Sequence, residues 1–266
     1  MPRHDLEILV ATMHQTDFSK VAKMNIRCDA VFANQADRQD YREQEIDGHR
    51  IRMITTDQRG VGRNRNQALL YAEAEYLLFG DDDMVYADDC AEQVVQAFAS
   101  MPEADVILFA VNLTKNGEVC ERISHGKGRL PYMKSWKYGA VSIAARRESL
   151  ERANLWYHLE FGGGCRYSSG EDSLFLHDCY KKGLKVCTHP YVLGTCETDS
   201  STWFQGYTEK YFLDKGCWLA VAMPKLCRVA VLPLAVKWRN QNPDFGVWKI
   251  AKLMWQGISA FRSRAR

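Results

Sequence analysis

Short apolar runs bounded by polar residues recur along the first 111 positions, with helix-like segments between them. The run 6–11 (LEILVA) reads as a buried strand, and the residues around 17–27 read as helical. Residues 29–34 (DAVFAN) predict a second strand, and 50–56 (RIRMITT), alternating apolar and polar, predict a third. An Ala- and Leu-rich helix is expected over 62–74, a strand over 75–79, an amphipathic helix over 89–99 and a strand over 105–111. Strands alternating with helices predict an α/β fold: a Rossmann-like, mostly parallel central sheet with flanking helices. Such sheets bind ligands beyond the carboxyl ends of their strands.

Farther along the pattern is less regular. Residues 116–120 (NGEVC) suggest a hairpin turn, and 126–139 mix basic, aromatic and glycine residues as a binding loop does. In 161–183 either Ser168 or Ser169 can cap a helix whose apolar positions are Leu174, Phe175 and Leu176, with Gly183 as its stop. The best membrane-spanning candidate, 216–236, is interrupted by Pro224, Lys225, Arg228 and Pro233. Near the end, Lys249, Lys252, Gln256 and Ser259 form one polar stripe on an otherwise apolar helix containing Val247, Trp248, Ile250, Ala251, Leu253, Met254, Trp255 and Ile258. Two readings fit it: an interfacial membrane helix, or a helix packed on the body with its lysines in solvent.

Charge sharpens that division. The 266 residues carry a net charge of only +2, which argues against a general nucleic-acid binder, and 46% of them are hydrophobic, enough for a packed core. From 216 onward, however, there are nine Lys/Arg and one acid, Asp244, while the rest carries 26 Lys/Arg against 32 acids. We therefore divide the chain into a domain over 1–215 and a basic amphipathic helical tail over 216–266, suited to an anionic surface such as the inner face of a cell membrane. The nine cysteines include no Cys-x-x-Cys pair, so neither a zinc ribbon nor a thioredoxin-type site is readable. With no export signal in the N-terminal residues, free thiols lead us to expect a cytoplasmic location.

The segment 75–89, EYLLFGDDDMVYADD, holds the strongest chemical signal. Three adjacent aspartates follow a strand, where Asp81 and Asp83 can share a divalent cation, or a cation and a ribose. Carboxylate oxygens suit Mg²⁺ or Mn²⁺, with diphosphate oxygens and water completing the shell. A solvated loop is the plainer alternative, and Asp88 and Asp89 fit a helix cap better. Glu171 and Asp172 stand at a helix start, either as a general base or as first-turn acids favoured by the helix dipole. Arg59, Arg63 and Arg65 begin another helix, in solvent or against a nucleotide. His189 is a weak metal-ligand candidate, and Trp136, Tyr138 and Tyr167 either stack on a sugar or pack in the core.

The order of these stretches resembles glycosyltransferase family 2, of the GT-A fold and the inverting, bacterial surface-polysaccharide type. The resemblance is carried by RGVGRNRNQALLYAEAEYLLFGDDD, YGAVSIAARRESL and GGGCRYSSGEDSLFLHDCYKKGLKV, and with the first strand covers about 10–190. It implies that Asp81 contacts the nucleotide ribose or the metal, beside Asp82, and that Asp83 holds the metal, Mn²⁺ or Mg²⁺, on the donor diphosphate. Thr12, Asn34, Arg65 and Asn66 match positions near the nucleotide. Asp172 matches the catalytic base, with Glu171 beside it. An acceptor pocket shaped by the 126–139 loop and the 161–169 glycine loop would include Trp136, Gly163 and Tyr167.

Two departures stand out: FANQADRQ lacks the Asp-Asp or Asn-Asp that usually reads the uracil edge, its acid coming only at Asp37, and CETDSSTW lacks a histidine ahead of its Ser-Ser pair. The implied activity is metal-dependent, inverting transfer from a nucleoside-diphosphate sugar, a UDP-sugar, to a glycan or lipid-linked glycan hydroxyl. Polysaccharide or lipopolysaccharide biosynthesis, peripheral to the inner membrane face, is the implied setting. The alternatives are a nucleotidyltransferase or other metal-dependent phosphoryl enzyme, and a non-catalytic sugar-nucleotide-binding relative.

Overall fold

The computed structural model describes residues 5–123, 126–197, 206–242 and 244–264. Four parallel strands form one half of the sheet: β1 (Leu6–Met13), β2 (Asp29–Gln35), β4 (His49–Thr56) and β5 (Tyr76–Asp81). The helix α1 (Ser19–Lys23) follows β1, and α2 (Val61–Tyr71) joins β4 to β5. Between β2 and β4 an unforeseen strand, β3 (Asp40–Ile46), pairs antiparallel on the outer edge of β4. Its sequence, DYREQEI, is exposed on both faces, so it lacks the alternation that marks a half-buried strand.

Beyond β5 come β6 (Met84–Tyr86), α3 (Cys90–Ser100), β7 (Val106–Lys115), β8 (Glu118–Ile123), β9 (Gly128–Arg129) and α4 (Tyr132–Ser135). They are followed by β10 (Ile143–Arg146), α5 (Arg147–Arg152), α6 (Glu171–Lys181) and β11 (Val186–Glu197). The sheet order is β3-β4-β2-β1-β5-β10-β7-β11-β6, with β8 on β7 and β9 on β11. Parallel pairing resumes between β7 and β11, but β10 runs antiparallel between β5 and β7, so the sheet is mixed. Asn116 and Gly117, both with positive φ (50° and 79°), make the tight turn expected between β7 and β8.

Side-chain alternation divides the core between the two sheet faces. On one face Ile8, Val10, Phe32 and Leu78 pack with Val94 and Phe98 of α3. On the other, Leu9, Val31, Leu77 and Phe79 pack with Tyr157 and with Phe175 of α6. One charged group interrupts β1: Glu7, 2% exposed, forms a buried ion pair with Arg52 of β4, which also reaches Glu73 at 2.7 Å.

The chain ends in three helices, α7 (Glu209–Ala222), α8 (Cys227–Gln241) and α9 (Val247–Arg264), which share a third core with Phe161, Tyr167 and Leu174. Position 216 therefore lies inside α7, not at a junction between body and tail. α7 and α9 touch backbone to backbone through two glycines. A Cβ on Gly216 would lie 2.1 Å from the Met254 carbonyl oxygen, and one on Gly257 would lie 2.0 Å from that of Leu213. The apolar stripe of 247–259 is consumed by this packing, because Ile250, Ala251, Leu253, Met254 and Ile258 are all buried. Trp248 alone among its large apolar residues stays exposed. No helix among the described residues is long and apolar enough to cross a membrane.

Candidate active site

Parallel registers bring the carboxyl ends of β1, β2, β4 and β5 together, with Thr12 beside Asn34, Asn34 beside Thr55, and Ala11 beside Asp81. A cleft of about 1050 Å³ opens there. Thr12, Lys20, Gln35, Asn64, Arg65 and the three aspartates line one part, and Gly163, Glu171, Asp172, Lys210 and Lys215 line another. Its volume suits a nucleotide-sized ligand with room to spare.

The aspartates have three different environments. Asp81 accepts a hydrogen bond from Arg65 Nη2 at 2.8 Å. Asp82 accepts from the Thr12 hydroxyl, and its backbone carbonyl accepts from Lys20 Nζ at 2.8 Å. Asp83 has no cationic partner among the described residues, only the Cys196 thiol, which donates to it at 3.4 Å. Burial, then the charges of Asp81 and Asp82, push its carboxyl up to about 6.

The glycine-rich loop before α6 brings the second carboxylate pair to the cleft. Val61 N–H donates to the Gly163 carbonyl at 2.9 Å, pinning the glycine run against the start of α2. Gly162 is needed there: its φ is 104°, and a Cβ would meet Val61 Cγ1 at 2.5 Å. The residue capping α6 is Gly170, neither of the two serines; Ser168 donates its hydroxyl to Asp214, and Ser169 accepts from Lys215 Nζ at 3.2 Å. Glu171 and Asp172 then occupy the first turn of α6.

Arg65 joins the two groups. It is 3% exposed and donates through Nη1 to Asp172 at 2.6 Å and to Glu171 at 3.3 Å, while Nη2 holds Asp81. Its guanidinium also lies 5.2 Å from the Tyr157 ring centre. The resemblance implied an arginine facing the nucleotide; here it is a buried clamp on three carboxylates. Burial raises the Asp172 carboxyl well above the usual range, Arg65 opposes that, and Glu171 and Asp81 add to it.

Four other expectations change. Asn34 is fully buried and spends its side chain on the Gln15 backbone and Thr55, so Gln35 is the residue that reaches the cleft. Asn66 faces away, exchanging hydrogen bonds with both backbone groups of Tyr157 at 2.7 and 2.9 Å. Two positions earlier on α2, Asn64 lines the cleft, donates to the Thr12 carbonyl at 3.1 Å and leaves its Oδ1 without a partner among the described residues. Trp136 and Tyr167 do not line the cleft. Trp136 packs edge-on between Tyr132 and Trp218, and Tyr167 is buried against Phe161 with its hydroxyl accepting from Arg264.

Gly163 does line the cleft. His189 packs on Phe109, and Asp89 accepts from the Tyr191 hydroxyl at 2.6 Å instead of capping α3 with its side chain. Arg59 pairs with Asp37. The Ser200–Ser201 pair lies outside the described residues. Lys20, Lys210 and Lys215 carried no sequence signal beyond being lysines. Lys215 is the notable one, its ammonium pushed down to about 8 by burial.

This fold, with carboxylates at the strand ends, is that of the GT-A glycosyltransferases. The family model for glycosyl transferase family 2 matches residues 24–166, more than half of the chain, and the chain belongs to that family. Among solved structures, Staphylococcus aureus TarS 1–349 in complex with UDP-GlcNAc is similar with a TM-score of 0.60 and 14% identity, over 96% of this chain and 71% of that one. The same TarS fragment with UDP gives a TM-score of 0.57 over 96% and 70%. Another TarS structure gives 0.57 over 98% of this chain and 43% of that one. No curated protein matches significantly. The chain is accordingly a glycosyltransferase of GT-A fold.

Proposed function

We propose that this glycosyltransferase moves a sugar from a UDP-sugar to an acceptor hydroxyl with inversion at the anomeric carbon. The observation that carries the reading is the pair of carboxylate groups, Asp81–Asp83 and Glu171–Asp172, held across one cleft by Arg65. UDP and UDP-GlcNAc bound to TarS fragments of the same fold support a uridine donor. Thr12, Gln35 and Asn64 would surround the nucleoside, and Lys20 would approach its phosphates.

Asp83 suits a divalent cation. It is the aspartate of the three without a cationic partner among the described residues, and a cation there would offset the burial and the charges of Asp81 and Asp82 that raise its carboxyl. No cluster of three or more His, Cys, Asp or Glu side chains among the described residues forms a closed metal cage. Mn²⁺ or Mg²⁺ would thus be held by Asp83, with Asp81, and by the donor itself. When bound, such a cation supplies positive charge to the departing diphosphate.

The acceptor step falls to Asp172. Its carboxylate takes the proton of the acceptor hydroxyl as that oxygen bonds to the anomeric carbon. The bond from that carbon to the diphosphate oxygen breaks on the opposite face, and UDP leaves with the electron pair. A base with a raised pKa accepts a proton more readily, while Arg65 favours its ionised form and opposes part of the rise that burial causes. Arg65 also fixes the distance between the donor aspartates and the base. The acceptor, a glycan or lipid-linked glycan, would enter beside Gly163 and Lys215.

The test is to incubate the protein with UDP-sugars, Mn²⁺ and candidate acceptors, and to identify the released nucleotide. UDP release that falls about a hundredfold or more in Asp172→Asn, with donor binding kept, is expected. Pyrophosphate release, or an unimpaired Asp172→Asn, would overturn the proposal.

A further inference from the structure

The α8 helix, with Leu226 that caps it, turns an unpartnered apolar stripe to solvent. Leu226 is 58% exposed, Val229 72%, Leu232 41% and Val236 50%, whereas Val231 and Ala235 on the opposite side are buried. These four recur at three- to four-residue intervals, so they share one helix face. The stripe continues into a groove of about 470 Å³ between Arg228, Val229 and Leu232 of α8 and Trp255 and Ser259 of α9. A face of this kind is not required by the fold, because the core of the three helices lies on the other side.

The charges around the stripe identify what covers it. Lys225, Arg228, Lys237 and Arg239 are all exposed, and Asp244 is the only acid from position 216 onward. Among the described residues, the ion pairs of this region are made by Lys249 with Glu209 and Arg264 with Glu160. None of the four cations beside the stripe joins an ion pair among the described residues. A second copy docked face to face would bring these cations together, which disfavours self-association. An anionic lipid surface satisfies both features at once: headgroups neutralise the cations, and the four apolar side chains enter the acyl boundary.

We infer that the exposed face of α8, between Leu226 and Val236, docks the protein on an anionic membrane surface. The sequence pattern pointed to α9, but that helix uses its apolar stripe for packing against α7 and α8. α7, whose Lys210 and Lys215 line the cleft, packs on α9, which in turn packs on α8. The docking face is thereby coupled through packed helices to the wall of the active site. That arrangement suits an acceptor held at a lipid surface, although the inference does not depend on the donor reading.

The experiment is flotation of the full chain, without nucleotide, with phosphatidylcholine vesicles containing or lacking phosphatidylglycerol. Binding to the anionic vesicles only, weakened by high salt, is expected. The double variant Val229→Asp/Val236→Asp should lose binding at least tenfold, and Arg228→Glu/Lys237→Glu similarly, with melting temperature and UDP binding unchanged. No flotation with anionic vesicles overturns the inference, as does equal flotation of both variants. So does a concentration-dependent dimer that Val229→Asp dissociates. Because vesicle binding is read without nucleotide, its failure and failure of the donor reading are separate results.

Discussion

At the scale of single residues, the site is governed by which carboxylates have a cation. Asp81 and Asp172 share Arg65, Asp82 has Lys20 nearby, and Asp83 has none among the described residues. Folding therefore favours the protonated form of Asp83, whose carboxyl is raised from 3.8 to about 6. That contribution is complete below about pH 4 and is lost as pH rises through 6. In a chelator, Asp83→Asn should melt above the wild type at pH 7.5, by on the order of 2 kcal/mol, and the gap should close near pH 4. An equal gap at both pH values would contradict this. Metal-dependent donor binding should run the other way and weaken as pH falls through about 6.

Arg65 gives a second residue-scale expectation. Arg65→Met leaves three carboxylates facing one another, so Asp172 should hold its proton to higher pH and the rising limb of the activity profile should move upward. Arg65→Lys, a point charge in place of a fork, should restore only part of the shift. The aspartates were legible in the sequence because three like charges after a strand have no purpose in folding alone. The clamp was not, since it joins positions 65, 81, 171 and 172. Nor was the choice between Asn64 and Asn66, which depends on how α2 is rotated against the sheet.

At the scale of elements, the strands marked by apolar runs up to residue 111 were readable, whereas β3, β6, β10 and β11 were not, although β10 is mostly buried. β1, β2, β4 and β5 have apolar runs; β3 is polar on both faces and β10 has only four residues. Within β1, Glu7 sits where an apolar residue would serve, tying it to β4 through Arg52. Glu7→Leu leaves the buried Arg52 guanidinium with Glu73 as its one carboxylate partner among the described residues and should cost about 3 kcal/mol in urea unfolding. The pair Glu7→Leu/Arg52→Met should recover most of it. Strictly additive losses would show that the two side chains are not coupled. Between α7 and α9, Gly257→Leu forces the helix backbones apart and should destabilise the helical unit by about 3 kcal/mol. A variant that melts like the wild type would contradict the close approach.

At the scale of the whole molecule, the α/β body and the helical end are continuous. Phe161, Tyr167 and Leu174 of the body enter the core of α7, α8 and α9, and α7 lines the cleft. The charge asymmetry was plain from composition, but its meaning required knowing which apolar residues the packing leaves outside. Helical periodicity alone cannot distinguish a stripe facing a neighbour from one facing solvent.

The central claim is a metal-assisted uridine-nucleotide site at Asp83 opposite a base at Asp172. Calorimetric titration of UDP, with and without Mn²⁺, into the wild type, Asp83→Ala and Asp172→Asn tests it most directly. Wild-type binding is expected only with metal, with its loss in Asp83→Ala and its retention in Asp172→Asn. Unaltered metal-dependent binding in Asp83→Ala, or no binding of UDP by the wild type with metal present, would contradict it.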